Sequence, residues 1–179
     1  MEMTQVQHAL LDRENTILLE GAVNEGMIRY VSRCLNELVA RGSPDITVII
    51  TSGGGDVGIG LIIHDYLRLY KGKKTGVVRG FARSMAAILL QACDARQCTK
   101  NSTILIHHIS KGEVSLDDLT DPKRLDHIIK SMVENQEKLY LILEGKTRKP
   151  RRDIVAACKK DCDMTAEEAK AFGLIDEII

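Results

Sequence analysis

No apolar run in the sequence approaches the roughly 18 residues that cross a bilayer, so a membrane span is not expected. The stretch from Met1 to Ala9 is polar and lacks the apolar centre of a secretory signal, which makes the cytoplasm the expected compartment. There is no excess of either charge: Lys plus Arg is 25 and Asp plus Glu is 25. A basic footprint for nucleic acid and an acidic tail are therefore both missing. No pair of the five cysteines (Cys34, Cys93, Cys98, Cys158, Cys162) has CxxC spacing, so they are read as reduced structural thiols with no metal or redox task. Repeats, low-complexity tracts and linkers are absent as well.

What is present is an ordinary globular chain. Its 179 residues are 44% hydrophobic and 28% charged, enough for one domain with its own core. Strand and helix signals alternate. Thr16 to Glu20 reads as a strand and Glu25 to Arg41 as a helix with Met27, Val31, Leu35 and Leu38 on one face. Asp45 to Thr51 is β-branched and nearly all apolar, like a strand buried on both faces. A glycine-rich turn and a helix from about Val57 to Tyr70 follow. Then come a strand from Thr75 to Gly80, a helix from about Ser84 to Ala95 and a strand from Thr103 to His107. This order predicts an α/β fold with a parallel sheet covered by helices.

Beyond His107 the pattern changes. Leu125, Ile128, Ile129, Met132, Val133, Leu139, Tyr140 and Leu143 mark one face of a helix of roughly 22 residues, about 33 Å long. Such a helix either projects toward another subunit or closes the core. A short helix follows Pro150 and runs through Lys160. Thr165 with Glu168 three residues on is a capping box that opens a last helix, and Leu174 to Asp176 reads as a final short strand.

Ligands of open α/β sheets gather at the carboxyl ends of the strands. Three reactive groups arrive there: Ser52-Gly53-Gly54-Gly55-Asp56, then Arg83-Ser84, then His107-His108. Ser84 begins a helix, so the N–H of Met85 is an unsatisfied donor able to meet an oxyanion. A serine at that position is also an ordinary N-cap, and a histidine ending an apolar strand is also an ordinary structural residue. A serine nucleophile needs a base, and the base needs a carboxylate. Asp56, Asp94, Asp161 and Asp163 are all candidates, and spacing does not choose among them. Gly53-Gly54-Gly55-Asp56-Val57-Gly58 also fits GxGxxG between a strand and a helix, the pattern of a dinucleotide loop. Against that, the next strand ends Val78-Arg79-Gly80 without the expected carboxylate.

Four segments together resemble the Clp protease proteolytic subunit (ClpP) family. They are Ser52-Gly53-Gly54-Gly55; Gly80-Phe81-Ala82-Arg83-Ser84-Met85; Asn101-Ser102-Thr103-Ile104-Leu105-Ile106-His107; and Asp161 to Ala169 followed by Gly173-Leu174-Ile175-Asp176. They occur in the family's order and span roughly Leu11 to Ile178. The resemblance implies a ClpP/crotonase-like fold and a serine endopeptidase acting on peptides and unfolded proteins. It implies Ser84 as nucleophile, His107 as base and Asp161 as acid, with the N–H groups of Gly55 and Met85 as oxyanion hole. No cofactor or metal is implied. The implied partners are copies of the chain in heptameric rings, single or stacked as a tetradecamer, and a Clp-type AAA+ unfoldase. The helix at about 122–145 would be the family's protruding handle on a domain spanning 11–179, and residues 1–10 a short N-terminal segment, shorter than the family's gating loops. After His107 the sequence departs from the family's glycine-rich strand, which bears on substrate specificity and ring stacking. A crotonase-like acyl-CoA enzyme, which stabilises enolates with two backbone N–H groups, and a noncatalytic ring subunit are the alternatives.

Overall fold

The computed structural model describes residues 4–110 and 112–179; Met1 to Met3 of the expected N-terminal segment and Lys111 of the segment after His107 lie outside them. The chain orders as α1 (Gln5–Glu14), β1 (Thr16–Val23), α2 (Glu25–Ala40), β2 (Ile46–Gly55), α3 (Val57–Leu69), β3 (Lys74–Arg83), α4 (Met85–Leu90), β4 (Ala95–Cys98), β5 (Thr103–Leu105), α5 (Leu116–Thr120), α6 (Pro122–Thr147), α7 (Arg151–Lys160), β6 (Met164–Thr165), α8 (Ala166–Phe172) and β7 (Glu177–Ile178). The fold is the expected α/β type. β1, β2, β3, β4 and β7 lie side by side and parallel, β5 adds to β3, and β6 pairs antiparallel with β5.

β-Branched residues drive the centre of the sheet. Ile46, Val48, Ile49 and Ile50 of β2 are all buried, as a strand covered on both faces requires. α2 lays Met27, Val31, Cys34, Leu35 and Leu38 on the sheet, and Asn24 caps it by accepting from the N–H groups of Gly26 and Met27. Cys34, Cys93, Cys98 and Cys158 are buried and unpaired; burial pushes the Cys93 thiol up to about 12, in keeping with an inert structural role.

Several boundaries differ from the sequence reading. No helix was expected ahead of the first strand, but α1 precedes it, spans the expected boundary between Leu10 and Leu11, and buries Leu11. Thr4 and Gln7 close a capping box at its start. The expected helix Ser84 to Ala95 stops at Leu90, because i→i+3 bonds from Gln91, Ala92 and Cys93 tighten the chain into a turn. That turn feeds β4, a strand the sequence does not announce.

The long helix α6 has 26 residues, about 39 Å, against the roughly 22 expected, and its C-terminal half closes the core. Leu139, Leu143 and Thr147 in its C-terminal half are buried. Its N-terminal half leaves Ile129 and Val133 exposed, at 53% and 62%, and carries α5 as its companion. Among the described residues no helix is long and apolar enough to cross a membrane.

Candidate active site

Strand β3 carries Ser84 to its place by changing partners. Thr75 to Val78 pair with β4, whereas Phe81 to Arg83 pair with β5. Ser102 holds the change-over: its buried hydroxyl accepts from the N–H of Gly80 at 2.7 Å and donates to the carbonyl of Val78 at 3.3 Å. Ser102 stands in the Asn101-Ser102 pair ahead of β5, so one hydroxyl aligns the serine strand with the histidine strand. The N–H of Ser84 then donates to the carbonyl of Leu105 at 2.9 Å, two residues before His107.

Ser84 sits in a sharp strand-to-helix turn at φ 55, ψ −126. That is a costly conformation for a residue with a side chain, of the kind that gathers at functional sites. It occupies the N-cap position of α4, yet its side chain makes no capping hydrogen bond. The ordinary cap reading therefore leaves the hydroxyl unexplained. Met85 is fully buried and is the first residue of α4, so its N–H has no acceptor within the helix. With only six residues in α4, the donor itself matters more than a helix dipole.

The end of β2 comes up against this turn. β2 does not stop at Thr51 as the sequence suggested; it runs through the glycines, with Ala22 opposite Gly54 and Val23 opposite Gly55 after a bulge. A Cβ on Gly54 would lie 2.7 Å from the Cβ of Ser84 and 2.9 Å from the nitrogen of Met85. A Cβ on Gly55 would run into the carbonyl oxygen and nitrogen of Val23. The backbone at these positions thus approaches both the serine turn and β1 more closely than any side chain allows. Ser52 underpins the segment, donating to the carbonyl of Gly21 at 2.6 Å and accepting from the N–H of Gly54 at 3.1 Å.

The same geometry counts against a dinucleotide loop. The glycines extend a strand; they do not form a phosphate-cradling turn. The N-terminus of α3 is already occupied by the Asp56 carboxylate, which accepts from the N–H of Ile59 at 2.8 Å and would repel a pyrophosphate.

Gly55, Ser84, Met85 and His107 line one cleft, together with the apolar Val57, Ile88, Ile109, Leu139 and Leu143. His107 lies two residues beyond the end of β5, not within a strand as expected, and its side chain is 25% exposed. Its Nδ1 is 3.9 Å from Oδ1 of Asp161. Asp161 does not line the cleft; it stands behind the imidazole, at the left-handed C-terminus of α7 (φ 46, ψ 49). The other three carboxylates named by the sequence are engaged elsewhere: Asp56 caps α3, Asp94 pairs with Lys74 at 2.9 Å, and Asp163 is held by Arg83. Arg83 in turn keeps the Asp163 carboxyl below the usual aspartate range by hydrogen bonding to it.

One residue and one pairing of the cleft region were not visible in the sequence. Gln136 of α6 accepts from the N–H of Ile109 at 2.7 Å and so fixes the chain just past His107. The Arg83–Asp163 pair joins residues 80 apart in sequence; each was noted as a strand-end or acid candidate, but nothing in the spacing linked them. A family model described as Clp protease matches residues 2–179, essentially the whole chain.

Proposed function

We propose, from the premise that the chain belongs to the Clp protease family, that this peptidase is a serine endopeptidase with Ser84, His107 and Asp161 as its triad. The observation that carries the reading is the state of Ser84: a strained backbone and a hydroxyl that caps nothing, in one cleft with an imidazole that has a carboxylate behind it. A structural serine or histidine would have no use for that combination.

In this mechanism the Ser84 hydroxyl attacks the scissile carbonyl and passes its proton to Nε2 of His107, the nitrogen turned away from Asp161. Asp161 holds the ring and stabilises the imidazolium. The tetrahedral oxyanion accepts from the N–H groups of Gly55 and Met85, which are fixed before substrate arrives. Collapse breaks the C–N bond, and His107 returns the proton to the leaving amine. A water then attacks the acyl-serine by the same route, releasing the acid and restoring Ser84. At 3.9 Å the His107–Asp161 pair is open by about 1 Å relative to a hydrogen bond, and in this account it tightens when substrate binds.

The substrates on this reading are peptides and unfolded proteins, cut inside a chamber formed by heptameric rings, with a Clp-type AAA+ unfoldase as supplier. Exposed apolar side chains on the projecting half of α6 support its use as a handle between rings. Those on the outer faces of α2 and α3, Val39, Tyr66 and Leu69, support lateral contacts. Hydrolysis of a short fluorogenic peptide by wild type and Ser84→Ala tests the chemistry. A loss of several orders of magnitude is expected; retention of a tenth of the rate would exclude Ser84 as nucleophile.

A further inference from the structure

Arg83 directly precedes Ser84, and Asp163 follows Asp161 by two residues. Nε of Arg83 donates to Oδ1 of Asp163 at 2.8 Å and Nη2 donates to Oδ2 at 2.6 Å. This is a two-pronged pair, which fixes angle as well as distance. Thr103, which opens the strand leading to His107, donates to the same Oδ1 at 3.3 Å. The guanidinium is further seated 4.9 Å from the Phe81 ring centroid. One carboxylate is therefore the meeting point of the three segments that bear Ser84, His107 and Asp161. Asp161 itself has a 65% exposed side chain on a left-handed backbone. Its carboxylate makes no hydrogen bond among the described residues, only the 3.9 Å approach to His107.

We infer that Arg83 and Asp163 form a clasp that positions Asp161 against His107, acting on turnover without touching substrate. The inference rests on the triad reading given above. Among the described residues the Asp161 carboxylate is held by no hydrogen bond of its own, so its place depends on what holds its neighbours. Strand β6 holds Met164 and Thr165 from one side; the clasp holds Asp163 and leaves one residue between the anchor and the acid. Both members are part-exposed, at 41% and 35%, so the pair adds little to overall stability and its effect is geometric. Lysine cannot replace the two-pronged contact.

The test uses the full chain with Asp163→Asn, Arg83→Ala, Arg83→Lys, the Arg83→Ala/Asp163→Asn double variant, and Asp161→Asn as reference. The expected result is a fall in kcat of about tenfold to a hundredfold in each clasp variant, the scale of a small misplacement, with KM within about twofold. The double variant should be no worse than the poorer single one, because the pair acts as a unit. Thermal unfolding midpoints should stay close to wild type, so a collapsed fold would not be mistaken for the effect. The His107 imidazole 15N–1H resonances should move in Asp163→Asn in the same sense as in Asp161→Asn, a readout that needs no turnover. Unchanged kcat in the clasp variants beside an impaired Asp161→Asn would overturn the clasp and leave the triad standing. Independent, additive losses would overturn it too. An Asp161→Asn variant as active as wild type would remove the triad reading, and the clasp with it.

Discussion

Three adjacent glycines make a stringent test of how the site is built, because the structure assigns them different burdens. A Cβ on Gly53 would meet nothing within 4 Å, and its backbone needs no left-handed conformation. Gly54 has φ 89, and its Cβ would sit 2.7 Å from the carbonyl oxygen of Arg83 and 2.9 Å from the nitrogen of Met85. These are backbone atoms of the serine turn, unable to swing aside as a side chain would. Strained backbone costs about 1–3 kcal/mol and overpacking about 1–3 kcal/mol more. Gly54→Ala should thus lose about 2–6 kcal/mol, against less than about 0.5 kcal/mol for Gly53→Ala. Any relaxation that relieves the clash must also displace Ser84 or Met85, so peptidase activity should fall by more than a hundredfold in the Gly54 variant, on the scale of a lost oxyanion donor. Gly53→Ala should stay within about twofold, as expected for a substitution without contacts. Urea unfolding gives the stability and initial rates on a fluorogenic peptide give the activity. Equal effects at the two positions, or an active and stable Gly54→Ala, would refute the close approach of β2 to the serine turn.

Other consequences concern the frame around the site and the assembly. Arg96 is buried at 7% exposure and donates to the Gln91 side chain, the Gly173 carbonyl and both oxygens of Asp176. Arg96→Met should cost about 2–4 kcal/mol in urea unfolding by stranding these acceptors, and a neutral effect would contradict the buried network. Burial raises the Asp176 pKa, but donation from the Arg96 side chain and backbone outweighs it and holds the carboxyl below its usual range. The stability this gives is present above the ordinary aspartate value of about 4 and is lost as pH falls through the lowered folded value. The gap between wild type and Asp176→Asn should accordingly be full at pH 7 and close below about pH 4; a gap that widens toward acid would reverse the assignment. Native mass spectrometry should show a whole number of heptamers, and an active monomer would refute the ring.

Periodicity and chemistry did not serve the sequence reading equally. The strand expected at Asp45 to Thr51 and the helix expected at Glu25 to Arg41 were legible because burial imposes a pattern that residue type reports directly, whereas the run of β2 on through Gly55 was not. β4 was not, because Arg96 and Gln97 break the apolar signal; the arginine is buried only because Asp176, 80 residues away, neutralises it. The closing strand was placed at Leu174 to Asp176 but forms at Glu177–Ile178, since Leu174 and Ile175 turn into the core and Asp176 serves Arg96. At the site, Ser84 and His107 were visible as reactive residues at strand ends, but their spacing was equally that of a cap and a structural histidine. By spacing alone four aspartates were equivalent, and it was the family resemblance that implied Asp161. Only in three dimensions do Asp56, Asp94 and Asp163 acquire other partners and leave Asp161 beside the imidazole.

The most direct measurement of the central claim is covalent labelling. The protein is treated with a fluorophosphonate at neutral pH, digested and mapped by mass spectrometry, alongside His107→Ala and Asp161→Asn. A serine activated by this imidazole predicts one adduct, on Ser84, formed rapidly in wild type, more slowly in Asp161→Asn and scarcely at all in His107→Ala. An adduct on another serine, or labelling of Ser84 at the same rate in all three proteins, would contradict it.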